Sequence, residues 1–150
     1  MSSGKIEAIA ILEVLGRPPE HLKETLEELI KKINEEKGIK IKDKKINEPK
    51  QLKDQKELYT TFAEIELEFD EVMDLFLFIF RYMPSHIEII SPEKISLENN
   101  KWNEFLNELA RRLHGYDEVA RILQTEKAIL EKKFKDLSEE KTKKTGKDKK

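Results

Sequence analysis

Residues 59–69 place the tightest limit on how this chain folds. Tyr59, Thr61, Ala63, Ile65, Leu67 and Phe69 fall on one side of a two-residue alternation. Thr60, Phe62, Glu64, Glu66 and Glu68 fall on the other. Only a strand sends successive side chains to opposite faces, so the segment predicts a strand with one buried and one acidic face. Such a strand needs a sheet around it. Residues 5–15 supply a strand that is mostly apolar on both faces and therefore central. Ile39 and Ile41 alternate with lysines, as on a half-exposed edge strand that extends toward Ile46. Ile87, Ile89 and Ile90 make a last short strand before Ser91-Pro92.

Helical periods lie between these strands. Pro18-Pro19 suits a first helical turn, where a missing N–H leaves no bond unmade. Leu22, Leu26, Leu29, Ile30 and Ile33 then form one apolar stripe, and Lys37-Gly38 ends it. Asp70 is expected to cap a second helix over 71–83, with Val72, Phe76, Ile79 and Met83 facing the core. Pro84 stops that helix. Residues 47–57 read as a long polar connection.

The order is strand, helix, strand, strand, helix, strand. It predicts an α+β, ferredoxin-like βαββαβ sandwich over residues 1–97, with the first and third strands central. Residues 98–138 are expected to form a two-helix C-terminal extension. Trp102, Phe105, Leu106, Leu109 and Leu113 stripe its first helix, and Gly115-Tyr116-Asp117 makes the turn. Leu123, Leu130 and Leu137 recur every seven residues, with Ala120, Lys127 and Phe134 as companions, which predicts a short coiled coil. Residues 139–150 are expected to be a disordered lysine-rich tail.

Charge divides along the same lines. Lys and Arg number 29, Asp and Glu 31, for a net charge of −2. Residues 141–150 hold six lysines and one aspartate, or +5, so the other 140 residues carry −7. Lys and Glu occur 24 times each and Gln three times. That bias matches ion-pair-rich thermophile sequences and predicts a thermophilic, archaeal source. No cysteine is present, which excludes disulfides, thiolate metal sites and cysteine nucleophiles. The longest apolar run is Leu75–Phe80, far short of the ~20 residues of a membrane span. Met1-Ser2-Ser3-Gly4 opens without an apolar signal segment, so a cytoplasmic, membrane-free protein is expected.

Few residues suggest chemistry. Glu64, Glu66 and Glu68 lie about 6.6 Å apart along one strand face and do not converge on one ion, so they read as a solvated or ion-paired surface. His21, His86 and His114 are scattered without metal-binding spacing. The five glycines form no phosphate-cradling loop, and no nucleophile elbow occurs. No catalytic constellation, metal site or cofactor is therefore expected. An enzyme would have to rest on Glu64, Glu66 and His86.

Three binding readings remain. Gly16-Arg17-Pro18-Pro19-Glu20 links the first strand to the first helix, whose free N–H groups favour anions. This loop resembles the first strand–helix loop of ACT-type regulatory domains, which share the element order over some 80 residues. The resemblance implies an amino-acid or similar small-ligand site at Arg17, Glu20 and His21. RNA-recognition motifs also use this order, but three carboxylates around Phe62 oppose phosphate. Nucleic acid is left to the tail, at Lys141, Lys143, Lys144, Lys147, Lys149 and Lys150, as in an accessory protein of an RNA or ribosomal complex.

The third reading is the strongest. Leu77, Phe78 and Phe80 point away from the expected core stripe, and Leu123, Leu130, Phe134 and Leu137 form a seam with nothing to cover it. At ~25 cal/mol per Å2, such wet apolar surface calls for a partner. The sequence thus predicts a non-enzymatic interaction or regulatory module that self-associates, most simply as a homodimer, or docks another protein.

Overall fold

A computed structural model describes residues 4–147. The chain resolves into two compact units, one up to Leu97 and one from Glu98 onward. The first unit is a mixed α+β domain. Its elements in order are β1 Ile6–Gly16, α1 Pro19–Asn34, β2 Ile39–Ile46, β3 Lys50–Gln51, β4 Tyr59–Phe69, α2 Val72–Tyr82 and β5 His86–Ser91. Four strands run in the order β2-β4-β1-β5, and the two-residue β3 also pairs with β4. Every pairing is antiparallel. The strands expected in the centre, β1 and β4, pair along their whole lengths from Ile6↔Phe69 to Gly16↔Tyr59. The register places Glu7, Ile9, Ile11 and Glu13 on the same face as Glu68, Glu66, Glu64 and Phe62.

The opposite face builds the core. Ala8, Ala10 and Leu12 of β1 and Ala63, Ile65, Leu67 and Phe69 of β4 are buried. Alanines opposite large side chains let the helices approach the sheet closely. Leu26, Ile30 and Ile33 of α1 and Leu75 and Phe78 of α2 pack into this one cluster. Pro19 stands in the first turn of α1, as its missing N–H permits.

The core face of α2 differs from the expected one. The helix reads Val-Met-Asp-Leu-Phe-Leu-Phe-Ile-Phe-Arg-Tyr, apolar nearly all round. Its buried line is Leu75 and Phe78, with Val72, Ile79 and Tyr82 packed beside them. Phe78 lies edge-on to Phe69 at a centroid distance of 5.4 Å and meets Tyr82 in a tilted contact at 5.4 Å. Phe78 is therefore a core residue and not a docking residue, a correction to the sequence reading. Phe76 leaves the stripe and pairs with Phe80 at 5.6 Å. Met83, expected inside, is 65% exposed and takes the left-handed conformation that ends the helix before Pro84. The N-cap is Glu71, one residue after Asp70, and its N–H donates to the Asp74 carboxylate at 3.2 Å.

The second unit corrects the sequence reading outright. One helix, α3 Asn99–Lys147, runs 49 residues through Gly115 where a turn was expected. Residues 139–147, expected to be disordered, belong to it. At 1.5 Å per residue it is about 73 Å long. Glycine inside a helix costs roughly 1 kcal/mol relative to alanine. Pairs on both sides offset this, with Arg112 to Glu108 at 2.7 Å before the glycine and Arg121 to Asp117 at 3.0 Å after it.

Two glycines give opposite predictions. Gly38 has φ +87, and an added Cβ would lie 2.6 Å from the Asp74 carboxylate. Gly38→Ala is expected to destabilise the first unit by about 1–2 kcal/mol. A Cβ at Gly115 meets nothing within 4 Å. Gly115→Ala is expected to stabilise α3 by about 0.5–1 kcal/mol. A turn at 115–117 would give loss there too, so paired thermal melts distinguish helix from hairpin.

Candidate functional site

The sheet carboxylates are engaged with lysines. Lys42 donates to Glu7 and lies 3.2 Å from Glu68. Lys5 lies 3.0 Å from Glu68 and 3.8 Å from Asp70. The hydrogen bonds from Lys5 and then Lys42 hold the Glu68 carboxyl below its ordinary value. The bond to Glu68 pushes Lys5 up, and bonds to Glu7 and Glu68 push Lys42 up. Glu64 and Glu66 are exposed, with Lys45 and Asp43 as their cross-strand neighbours on β2. Glu64 and His86 both oppose Ile11, from opposite sides. Two strand spacings, about 9.5 Å, thus separate them. The Glu64, Glu66 and His86 set does not converge. Among the described residues no cluster of His, Asp or Glu fits a metal ion.

The residues of the suggested small-ligand loop are brought close in chain but face different partners. Arg17 gives its guanidinium to Glu57 at 2.5 Å. His21 Nδ1 lies 3.3 Å from Glu24, and Glu20 is exposed on the first turn of α1. A surface depression beside Arg17 is lined by residues 55–58, charged or polar except for Leu58. The His21 N–H donates to the Pro18 carbonyl at 3.1 Å, Pro19 has no N–H to offer, and the cation that would hold a carboxylate already holds one.

A polar clamp that sequence reading missed joins α2 to the end of α1. Arg81 Nη1 and the Tyr82 hydroxyl donate to one oxygen of Glu36, at 2.6 and 2.5 Å. Burial, followed by the bond to Glu36, pushes the Tyr82 phenol up to about 12. Its neutral form is favoured in the folded chain, so its stabilisation is complete below the ordinary tyrosine range. That stabilisation is lost as pH rises toward 12. Lys5 and Lys42 act in the same direction at high pH. Glu68 acts oppositely, its contribution disappearing as pH falls below the carboxylate range. Urea midpoints are expected to fall at both extremes. Ultraviolet titration should find one phenol that ionises only near 12, and Glu36→Gln should lower that midpoint.

The remaining candidates are apolar. Leu77 and Phe80 of α2 are half-buried, so their free surface is small. On α3 the position is different. Leu123, Leu130, Phe134 and Leu137 are 57, 66, 74 and 65% exposed. Their spacings of seven, four and three put them on one side of the helix. Leu113, Tyr116 and Ala120, which a turn at Gly115 would have separated from them, continue the same line. The unbroken three-four spacing was the signal available in the sequence. Lys141, Lys143, Lys144 and Lys147 are exposed on the last turns of α3, and Lys149 and Lys150 lie outside the described residues. Among the described residues no helix is long and apolar enough to cross a membrane.

A family model for the MJ0538 family matches residues 7–148. A protein of the archaeon Methanocaldococcus jannaschii named "Uncharacterized protein MJ0538" is 35% identical over 103 residues. That stretch is 67% of this chain and 38% of the relative, so the chain spans well under half of the relative's length. No solved structure matches.

Proposed function

The chain belongs to the MJ0538 family, and we propose that it works as a non-enzymatic interaction module that docks a protein partner along α3. One observation carries this reading. An apolar line, interrupted only at Lys127 between Leu113 and Leu137, is exposed to water on a 49-residue helix, with Leu123, Leu130, Phe134 and Leu137 each more than half accessible. Helices in water gain most of their stability from packing an apolar face, and α3 has such a face without a cover within its own unit. The strand order β2-β4-β1-β5 supports a ferredoxin-like reading of the first unit. In this reading the first unit is a rigid body that α3 joins to the partner.

A photoreactive phenylalanine analogue at Leu130, compared with one at Lys132 on the far side of the helix, tests the role. In an extract of the native cells, adducts are expected from position 130 and not from 132. Equal labelling at both positions, or none at 130, would contradict docking along the seam.

A further inference from the structure

With α3 read as one helix, its seam becomes a heptad repeat. Tyr116, Leu123, Leu130 and Leu137 occupy d positions. Leu113, Ala120, Lys127 and Phe134 occupy the intervening a positions. All eight are exposed. A strict seven-residue repeat drifts around a straight helix unless the helix supercoils, so it suits another helix with the same repeat better than a globular surface. We propose that the occupant is a second copy of this chain, its α3 lying parallel and in register from Leu113 to Leu137. The proposal rests on the docking reading above and names its partner.

Charge placement selects this arrangement. Lys127 is the one charged residue in the seam between Leu113 and Leu137. A single polar a position fixes register and favours two strands. Glu126 and Glu131 flank it at g and e, and Glu131 already lies 3.9 Å from Lys127 within the chain. In a parallel pair Lys127 faces the other copy's lysine at the same position across the seam, and each Lys127 also meets the partner copy's residue at position 126, a glutamate. Four carboxylates then surround two ammonium groups. Run antiparallel over the same stretch, with 113 against 137, position 127 faces 123 and Lys127 meets leucine. On the flanks of such a pair g lies beside g and e beside e, so 126 neighbours 126 and 117 neighbours 131, each two residues off the facing level, and carboxylates approach carboxylates at both places.

The absence of native cysteine allows a direct reading. Leu113→Cys and Leu137→Cys are made singly in the full chain, with Lys132→Cys on the outer face as control. Under mild oxidation both seam variants are expected to run mostly as covalent pairs on non-reducing gels, and the control as single chains. Pairs that form only when the two seam variants are mixed would overturn the parallel arrangement. No pairs in any variant, together with a single-chain mass for the unmodified protein in sedimentation, would overturn the second-copy assignment. Photo-adducts from position 130 to a different protein would then leave docking intact with another occupant, whereas loss of those adducts as well would remove both.

Discussion

Phe78→Ala is expected to lower the unfolding free energy of the sheet unit by about 3–5 kcal/mol, the range for emptying a buried phenylalanine site. Phe78 is wholly buried, and its ring contacts Phe69 on β4 and Tyr82 on its own helix. Removing it opens a cavity between sheet and helix and frees Tyr82, whose hydroxyl bonds Glu36. The half-buried Phe80 should cost far less on truncation, about 1 kcal/mol. Urea unfolding of the two variants measures the difference. Similar losses for both, or a larger loss at Phe80, would contradict the assignment of Phe78 to the core.

The combined Leu123→Ala and Leu130→Ala variant is expected to abolish pairing while sparing the sheet unit. Each copy loses two exposed seam leucines, so a pair loses four. At ~1.5 kcal/mol or more per buried leucine, the pair weakens by about 6 kcal/mol, some four orders of magnitude in dissociation constant. Neither leucine is a member of the core cluster of the sheet unit. Sedimentation velocity should find the variant as single chains at concentrations where the native chain is paired. The urea midpoint of the first unit should stay at its native value. Because pairing is a mass-action effect, the thermal stability of α3 in the native chain should also rise with protein concentration. Pairing as tight as in the native chain would place the contact elsewhere.

Legibility in the sequence followed the clarity of each local pattern. The strict alternation from Tyr59 to Phe69 gave β4 its ends and its buried face, because a one-residue slip would turn Thr60 and three carboxylates inward. The Leu22, Leu26, Ile30 and Ile33 stripe was equally clear, since charged residues fill the rest of α1. In α2 the pattern failed because only Asp74 and Arg81 among its eleven residues are charged. Any of several faces could then serve as the core face, and tertiary packing selected Leu75 and Phe78. The short β3 was missed because Lys50-Gln51 carries no apolar signal and is held by pairing with β4 and by the Gln51 side-chain bond to the Lys56 carbonyl.

The helix break failed for a different reason. Gly115-Tyr116-Asp117 has turn chemistry, and one glycine outweighed a register that runs unbroken through it. In a long helix a roughly 1 kcal/mol local penalty is spread over many propagating residues, and flanking ion pairs offset it. The seam residues Leu123, Leu130, Phe134 and Leu137 were legible as a heptad set. Their continuation to Leu113 and Tyr116 became visible only when the helix proved continuous. The Glu36, Arg81 and Tyr82 clamp joins residues 45 and 46 positions apart. Nothing in local sequence spacing marks such a contact.

Sedimentation equilibrium of the full native chain over the micromolar range tests self-association through α3 most directly. The expected result is a mass approaching twice 17.7 kDa as concentration rises. A mass of 17.7 kDa at every concentration would contradict it.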